Sequence, residues 1–202
     1  FTDLDEEIIQ DDGSIVTRTK AGDMVTCNLN SINLGQTSDE ELEENIALQV
    51  RMLDNVITIN QFPVPETRVT SEKYRAIGLG TSGYHHYLVK HKVQWESDEH
   101  LAVADTLFEN IAYAAIKASM ELAKEKGAYP AFKGSQWETG EYFERRGYTS
   151  ERWQQLQADV AKYGIRNGYL MAIAPTGSTS NIANTTAGID PIFKKFFIEE
   201  KK

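Results

Sequence analysis

The sequence of 202 residues has a single cysteine, Cys27, so it can form no internal disulfide and no multi-cysteine metal site. Basic residues are in the minority, with 21 Lys and Arg against 30 Asp and Glu, which argues against nonspecific duplex binding through a basic face. The sequence shows no apolar run long enough to span a bilayer and no secretory leader. We therefore expect a cytoplasmic protein that binds neither DNA nor membranes.

Periodicity predicts helices that alternate with single strands, which indicates an α/β architecture without an internal domain boundary in 1–202. Ser38 and Glu41 form a capping box before one helix, and Ser97 and Ser150 are predicted caps of two others. We predict strands over 25–34, from 169 onward and near the C-terminus. We predict one helix over 82–91 and another that ends at 126. The stretch 1–23 is predicted to be a hairpin or loop, and 129–147 is predicted to be irregular. The buried faces of the three capped helices are predicted to be Leu42, Ile46, Val50, Leu53 and Ile57; Leu107, Ile111, Ala115, Ala118 and Leu122; and Trp153, Leu156, Val160 and Tyr163.

The stretch 174–184 is the most informative part of the sequence. An apolar run over 169–174 stops at Pro175 and is followed by Thr176, Gly177, Ser178, Thr179 and Ser180. A strand that enters such a turn at a helix start makes an anion site, because first-turn amides lack an intrahelical acceptor and hydroxyl groups add donors. The alternative is that Ser178 or Thr179 is a helix N-cap and binds nothing.

Cys27 is the other candidate for chemistry. Most lone intracellular cysteines are small buried hydrophobes, and that interpretation applies here as an alternative. The neighbouring polar side chains argue against it, because amides and hydroxyl groups are unusual around a core cysteine. These neighbours are Thr26, Asn28, Asn30, Ser31 and Asn33.

Three other patterns favour structural explanations. The run 78–83 matches G-x-G-x-x-G, but Asp98 and Glu99 open a helix where a dinucleotide fold would end a strand, so we expect packing glycines. His85, His86 and His91 lack metal-ligand spacing and are expected at the surface or the core edge. The aromatic stretch 129–148 is expected to pack as a loop, with a partner contact as the alternative.

Two signatures in order resemble the large, catalytic subunit of ribonucleotide reductases. The first is Met24-Val25-Thr26-Cys27-Asn28-Leu29-Asn30-Ser31-Ile32-Asn33-Leu34, and the second is Pro-Thr-Gly-Ser-Thr-Ser over 175–180 followed by Thr185-Thr186-Ala187-Gly188-Ile189-Asp190-Pro191-Ile192-Phe193. The resemblance covers essentially the whole chain. It implies a class I-like reductase of ribonucleoside diphosphates that makes 2′-deoxyribonucleotides. The implied fold is a ten-stranded α/β barrel of two antiparallel five-stranded halves, of which this chain would supply much of the second and would be incomplete alone.

The resemblance assigns roles by position. Cys27 matches one cysteine of the redox pair that reduces the sugar, with its partner outside this chain. Thr176, Gly177, Ser178, Thr179 and Ser180 match the turn that holds the substrate phosphates, although many members of the family have glutamate at the position of Gly177. The family's radical cysteine and glutamate, which belong shortly before this segment, do not occur in the sequence, so we predict that the isolated chain has no turnover.

Cofactors and partners follow from the same resemblance. We expect the chain itself to bind no cofactor and no metal. The complete enzyme would need the remainder of the large subunit, thioredoxin or glutaredoxin, and a radical source, which is a metal-containing small subunit or, in the branch that shares both signatures, adenosylcobalamin. The second hypothesis is a stand-alone phosphate- or nucleotide-binding module with an inert cysteine, which would be a closed domain without open sheet edges.

Overall fold

The computed structural model describes residues 3–20, 22–26, 28–194, 196 and 198. The chain opens with β1 (Asp3–Ile9) and β2 (Ile15–Lys20), which pair as an antiparallel hairpin with Ile8 opposite Val16. The Asp12 side chain accepts hydrogen bonds from the Ser14 amide and hydroxyl in the turn, which the Asp-Asp-Gly-Ser sequence favours. The hairpin predicted for the N-terminal region is therefore confirmed.

The remaining elements are β3 (Leu29–Asn33), α1 (Leu42–Ile59), α2 (Pro65–Tyr74), β4 (Gly78–Ser82), α3 (Tyr84–Lys90), α4 (Asp98–Lys126), α5 (Gln136–Thr139), α6 (Glu141–Arg146), α7 (Glu151–Tyr163) and α8 (Gly177–Ile182). Strands and helices are thus mixed as predicted, and the described strands do not close into a barrel. Within the described residues, no helix is both long and apolar enough to cross a membrane.

Helix ends follow the predicted caps at most positions. Ser38 and Glu41 form the two reciprocal amide–side-chain hydrogen bonds of a capping box in the turn before α1. The helix itself begins at Leu42, and the residue before it, Glu41, makes no side-chain capping hydrogen bond. Ser97 Oγ accepts from the His100 amide at the start of α4, and Gly127, with φ of 84°, ends that helix. Ser150 precedes α7, but its side chain makes no capping hydrogen bond.

The core lies between the sheet of β3 and β4 and a layer built mainly from α1, α4 and α7. The residues predicted to face inward are buried, with one exception. Tyr163 is 39% exposed, so its predicted burial was wrong. It lies at the last turn of α7, where the ammonium groups of Lys124 and Lys162 stand over its ring. The tyrosine therefore covers the helix end rather than filling the core.

The second sheet is parallel and small. Strand β3 pairs with β4 from Leu29 opposite Gly78 to Asn33 opposite Ser82. On the other edge of β4, the extended segment 169–173 pairs through a single parallel bridge between Leu79 and Met171. The strand predicted from 169 is therefore an extended segment with one bridge, and the strand predicted over 25–34 begins only at Leu29. The predicted closing strand falls mostly outside the described residues.

Gly80 lets the segment 169–173 approach β4. A Cβ atom at Gly80 would lie 2.3 Å from the Ala172 carbonyl oxygen, a backbone atom that cannot rotate away. We therefore expect Gly80→Ala to lower the free energy of unfolding by about 3 kcal/mol, as overpacking does. Gly78→Ala is the control on the same strand and should cost about 1 kcal/mol. Its Cβ would meet the end of the Leu29 side chain at 2.4 Å, which can rotate, and the Ala172 Cβ atom at 3.0 Å, which needs only a small shift. Equal losses in urea unfolding would contradict this account.

A buried ionic cluster lies at the amino end of the parallel sheet. The Asp54 side chain is fully buried on α1 and accepts a hydrogen bond from Arg75 Nε at 2.7 Å and from Arg166 Nε at 3.2 Å. Lys126 Nζ lies 3.5 Å from its other oxygen, and the buried Asn167 side chain donates to Asp54 and to the Arg75 carbonyl. These contacts join α1 to the chain just before β4 and just before the segment 169–173.

Sequence reasoning missed three helices. The two prolines after α1 end that helix as expected, but Pro65 also occupies the first turn of α2, a position that proline favours. In the stretch expected to be irregular, Ser135 caps α5 and Gly140 and Gly147 flank α6. Both are shorter than two turns, so they carry no usable periodicity.

Candidate functional site

Two distant parts of the chain meet at the carboxyl end of the parallel sheet. They enclose an open cavity of about 480 Å³. One wall comes from β3 and the end of β4, and the other comes from the turn after the segment 169–173. The lining residues are Leu29, Asn30, Ser31, Asn33, Ser82, Ala174, Thr176, Gly177, Ser178, Thr179 and Ala183. The carboxyl ends of parallel strands are a common place for ligand sites.

The turn enters a helix through a left-handed residue. Thr176 has φ of 50°, and α8 begins at the next residue, Gly177. The Gly188 amide donates to Thr176 Oγ1 at 2.8 Å, which fixes the threonine side chain and leaves its hydroxyl hydrogen available to a ligand. Thr179 Oγ1 donates to the Thr176 carbonyl at 3.3 Å. The predicted turn and short helix are confirmed, and an extended segment with one bridge stands where the strand was predicted.

Ser180 differs from the other four residues of the turn. It is only 3% exposed, it does not line the cavity, and its hydroxyl donates to the Gly177 carbonyl at 3.2 Å. Its amide donates to the Thr176 carbonyl at 2.8 Å. Ser180 therefore stabilises the first turn of α8, while Thr176, Gly177, Ser178 and Thr179 face the cavity.

Cys27 lies outside the described residues. Its neighbours are anchored to helices: Thr26 Oγ1 lies 3.2 Å from Ser71 Oγ, and Asn28 Nδ2 donates to the Leu53 carbonyl at 2.7 Å. Strand β3 starts two residues after Cys27 and forms one wall of the cavity. The strand that follows Cys27 in the sequence and the turn at 176–179 thus line the same cavity, whereas Thr26 and Asn28 do not line it.

The loop after α8 is held by the start of α3. The Gly83 amide donates to the Thr186 carbonyl at 2.7 Å, and the His86 amide and ring contact the hydroxyl groups of Thr186 and Thr185. A Cβ atom at Gly83 would lie 2.3 Å from Thr185 Oγ1, so this glycine is required for the close approach. Gly78 and Gly80 lie within β4 itself, so the 78–83 run is not a phosphate-binding loop after a strand.

The histidines act as hydrogen-bonding residues of this loop. His85 Nδ1 accepts a hydrogen bond from the Ile192 amide at 3.0 Å, and the ring stacks on Trp95. Burial, with a smaller contribution from His100, lowers the pKa of His85 and favours the neutral acceptor form. These roles were missed because the partners lie about a hundred residues away in sequence. Within the described parts of the chain, no group of three or more His, Cys, Asp or Glu side chains is placed to hold a metal ion.

Comparisons with known proteins agree on one family. Residues 6–202 match the family described as "Ribonucleotide reductase, barrel domain". The chain is 58% identical over 191 residues to the ribonucleoside-diphosphate reductase subunit alpha of Treponema pallidum (strain Nichols), covering 93% of this chain and 23% of that protein. The corresponding subunit of Helicobacter pylori (strain ATCC 700392 / 26695) is 42% identical over 195 residues, covering 90% and 25%. That of Synechocystis sp. is 37% identical over 190 residues, covering 90% and 24%. The chain therefore spans about a quarter of the length of these relatives.

Proposed function

Since this chain belongs to the ribonucleotide reductase barrel-domain family, we propose that it is part of a ribonucleoside-diphosphate reductase large subunit and forms one side of the substrate site. The observation that carries the proposal is the shared cavity, in which the strand after Cys27 faces the hydroxyl-rich turn. In this proposal the chain is a piece of a single catalytic domain, a ten-stranded α/β barrel. It forms part of the second half of that barrel.

The turn has a positional role in this mechanism. Thr176, Gly177, Ser178 and Thr179 hold the diphosphate through hydroxyl groups and first-turn amides. Ser180 does not contact the phosphates and stabilises the first turn of α8 through its hydrogen bond to the Gly177 carbonyl. Fixing the phosphates sets the ribose against the reacting groups, and such positioning lowers a barrier by several kcal/mol.

Cys27 supplies one of the two thiols that reduce the sugar. The 2′ carbon–oxygen bond breaks, the oxygen leaves as water, and hydrogen replaces it. The two thiols lose two electrons and two protons and become a disulfide, so atoms and electrons balance. A reductant such as thioredoxin or glutaredoxin then restores the thiols. The second cysteine and the radical cysteine lie elsewhere in the complete subunit.

The partners follow from the relatives' names. A subunit called alpha belongs to an enzyme of several components, and we propose a separate radical-generating small subunit as the partner of this one. An adenosylcobalamin radical source is the alternative for the branch with the same signatures. Within the described residues, β4 is the only strand that pairs with β3, which leaves the other edge of β3 open. That edge favours a piece of a larger barrel over the stand-alone nucleotide-binding module.

A charge introduced at the turn tests the phosphate assignment. Ser178→Asp puts a carboxylate where the diphosphate should bind, and unit charges about 5 Å apart at an effective dielectric constant of about 20 repel by about 3 kcal/mol. With screening, we expect binding of cytidine diphosphate to the complete large subunit to weaken by about 10- to 100-fold. Ser178→Asn is the matched neutral control and should change binding by less than about fivefold.

Isothermal titration of both variants decides the question. An acidic side chain in the first turn favours the helix, so loss of folding is not expected. If Ser178→Asp binds the diphosphate as tightly as Ser178→Asn does, the turn is not the phosphate site.

A further inference from the structure

We propose that Asn33 is a positioning residue of this site, whose side-chain amide fixes the phosphate turn relative to the strand that follows Cys27. The inference rests on the proposed function of the turn. Asn33 Nδ2 donates a hydrogen bond to the Ala183 carbonyl at 3.2 Å, although the two residues are 150 positions apart. This is a direct side-chain tie between the two walls of the cavity.

The contact joins the end of a strand to the end of a helix. Asn33 is the last residue of β3, and Ala183 is the residue at which α8 ends. The last carbonyl groups of a helix have no intrahelical donor, so they accept hydrogen bonds from elsewhere. Since α8 is only six residues long, a tie at its C-terminal end also fixes the direction of its first turn. That first turn contains Gly177, Ser178 and Thr179.

The oxygen of the Asn33 side chain lies close to Gly83. This Oδ1 atom is buried and has no hydrogen-bond partner within the described part of the chain. A Cβ atom at Gly83 would lie 2.9 Å from this oxygen, so even an alanine at 83 would crowd it. A buried acceptor without a partner costs free energy. The donor side of the same amide makes the contact to Ala183, which gives a reason for an asparagine here.

A second contact holds the neighbouring backbone. The His86 ring lies 3.1 Å from Thr185 Oγ1, two residues after Ala183, and the His86 amide donates to Thr186 Oγ1. The end of α8 and the loop after it are therefore hydrogen-bonded to both β3 and α3. Asn33 differs from His86 in lining the cavity and in belonging to the same strand that follows Cys27. Its contact joins strand β3 to the end of α8, whereas the His86 contacts join only α3 to the loop that follows α8.

The test is a double-mutant cycle in the complete large subunit, read out by the dissociation constant of cytidine diphosphate. We expect Asn33→Ala and the uncharged, similarly sized Asn33→Leu each to raise the dissociation constant by about tenfold, the amount expected for one lost hydrogen bond. In a Ser178→Asp background, where the turn binds the phosphates much more weakly, Asn33→Ala should have a markedly smaller effect than in the unmodified subunit. Such non-additivity shows that Asn33 acts through the turn, which a general effect on folding would not produce.

The outcomes separate the two proposals. If Ser178→Asp weakens binding and both Asn33 variants bind as tightly as the unmodified subunit, the role of Asn33 is wrong and the phosphate turn stands. If Ser178→Asp has no effect, the proposed function itself fails. Additive effects in the double mutant would also overturn the role of Asn33. So would loss of the folded state in both Asn33 variants, because Asn33 would then be a requirement of the fold rather than of the site.

Discussion

The Asp54→Ala variant is expected to lose about 3–5 kcal/mol of its free energy of unfolding, because it leaves buried cations without their counterion. Asp54 is fully buried, and the side chain of its closest partner, Arg75, is only 8% exposed. Arg166 and Lys126 face the same carboxylate, and Asn167 donates to it as well. No other carboxylate within the described residues is paired with Arg75 or Arg166.

The same variant should also change the pH dependence of stability. Burial works to raise the pKa of Asp54, but the hydrogen bond from Arg75 and the charges of Arg75, Arg166 and Lys126 outweigh it and lower the pKa. A lowered pKa in the folded state means that the carboxylate stabilises the fold above its ordinary pKa of 3.8 and loses this effect as the pH falls through the lower folded value. The unmodified protein should therefore lose stability in acid over this range, and Asp54→Ala should lose less.

A surface ion pair provides the control for this prediction. Arg51 Nη2 lies 2.6 Å from Glu125 Oε2, but the two side chains are 44% and 51% exposed. Solvent screening leaves such pairs little net effect, so Glu125→Ala should cost less than about 1 kcal/mol. Urea unfolding at several pH values measures both variants. A loss at Asp54 no larger than the loss at Glu125 would show that the cluster does not hold the fold together.

The second large effect is expected at Cys27. A serine at this position cannot give up electrons to form a disulfide, so Cys27→Ser in the complete reductase should lower nucleotide reduction on the order of a thousandfold or more. Binding of cytidine diphosphate should remain, because in the proposed function the turn at 176–179 holds the phosphates. The combination of intact binding and lost turnover distinguishes a reacting group from a binding group.

Thr26→Ser is the matched control for the cysteine. It changes a neighbouring side chain of similar size and keeps the hydroxyl that lies near Ser71. Its turnover should stay within about threefold of the unmodified enzyme, since no reacting group is removed. If Cys27→Ser retained turnover comparable to Thr26→Ser, Cys27 would be an inert cysteine.

Local signals in the sequence predicted much of the fold. Ser97 and Gly127 act on groups within four residues of themselves, so both ends of α4 could be predicted. The turn after Pro175 was predictable for the same reason. What the sequence did not reveal depends on contacts between distant residues.

Asp54, Asn33 and His86 illustrate that limit. Asp54 looks like an ordinary acidic residue on α1, and its cationic partners lie 21, 72 and 112 positions away. Asn33 reaches across 150 positions and His86 across about a hundred. Hydrophobic periodicity does not encode such pairs, because each partner is a polar residue within an otherwise unremarkable pattern. The packing role of Gly80 likewise depends on a carbonyl group in the segment 169–173.

Thiol labelling after a single turnover is the most direct test of the proposal that Cys27 reduces a ribonucleotide held by the turn at 176–179. The complete reductase would be given cytidine diphosphate without thioredoxin or glutaredoxin, quenched, alkylated and analysed by peptide mass spectrometry. We predict that Cys27 becomes resistant to alkylation in proportion to the deoxynucleotide formed, and that dithiothreitol restores the labelling. Formation of deoxynucleotide while Cys27 remains fully open to alkylation would contradict the account.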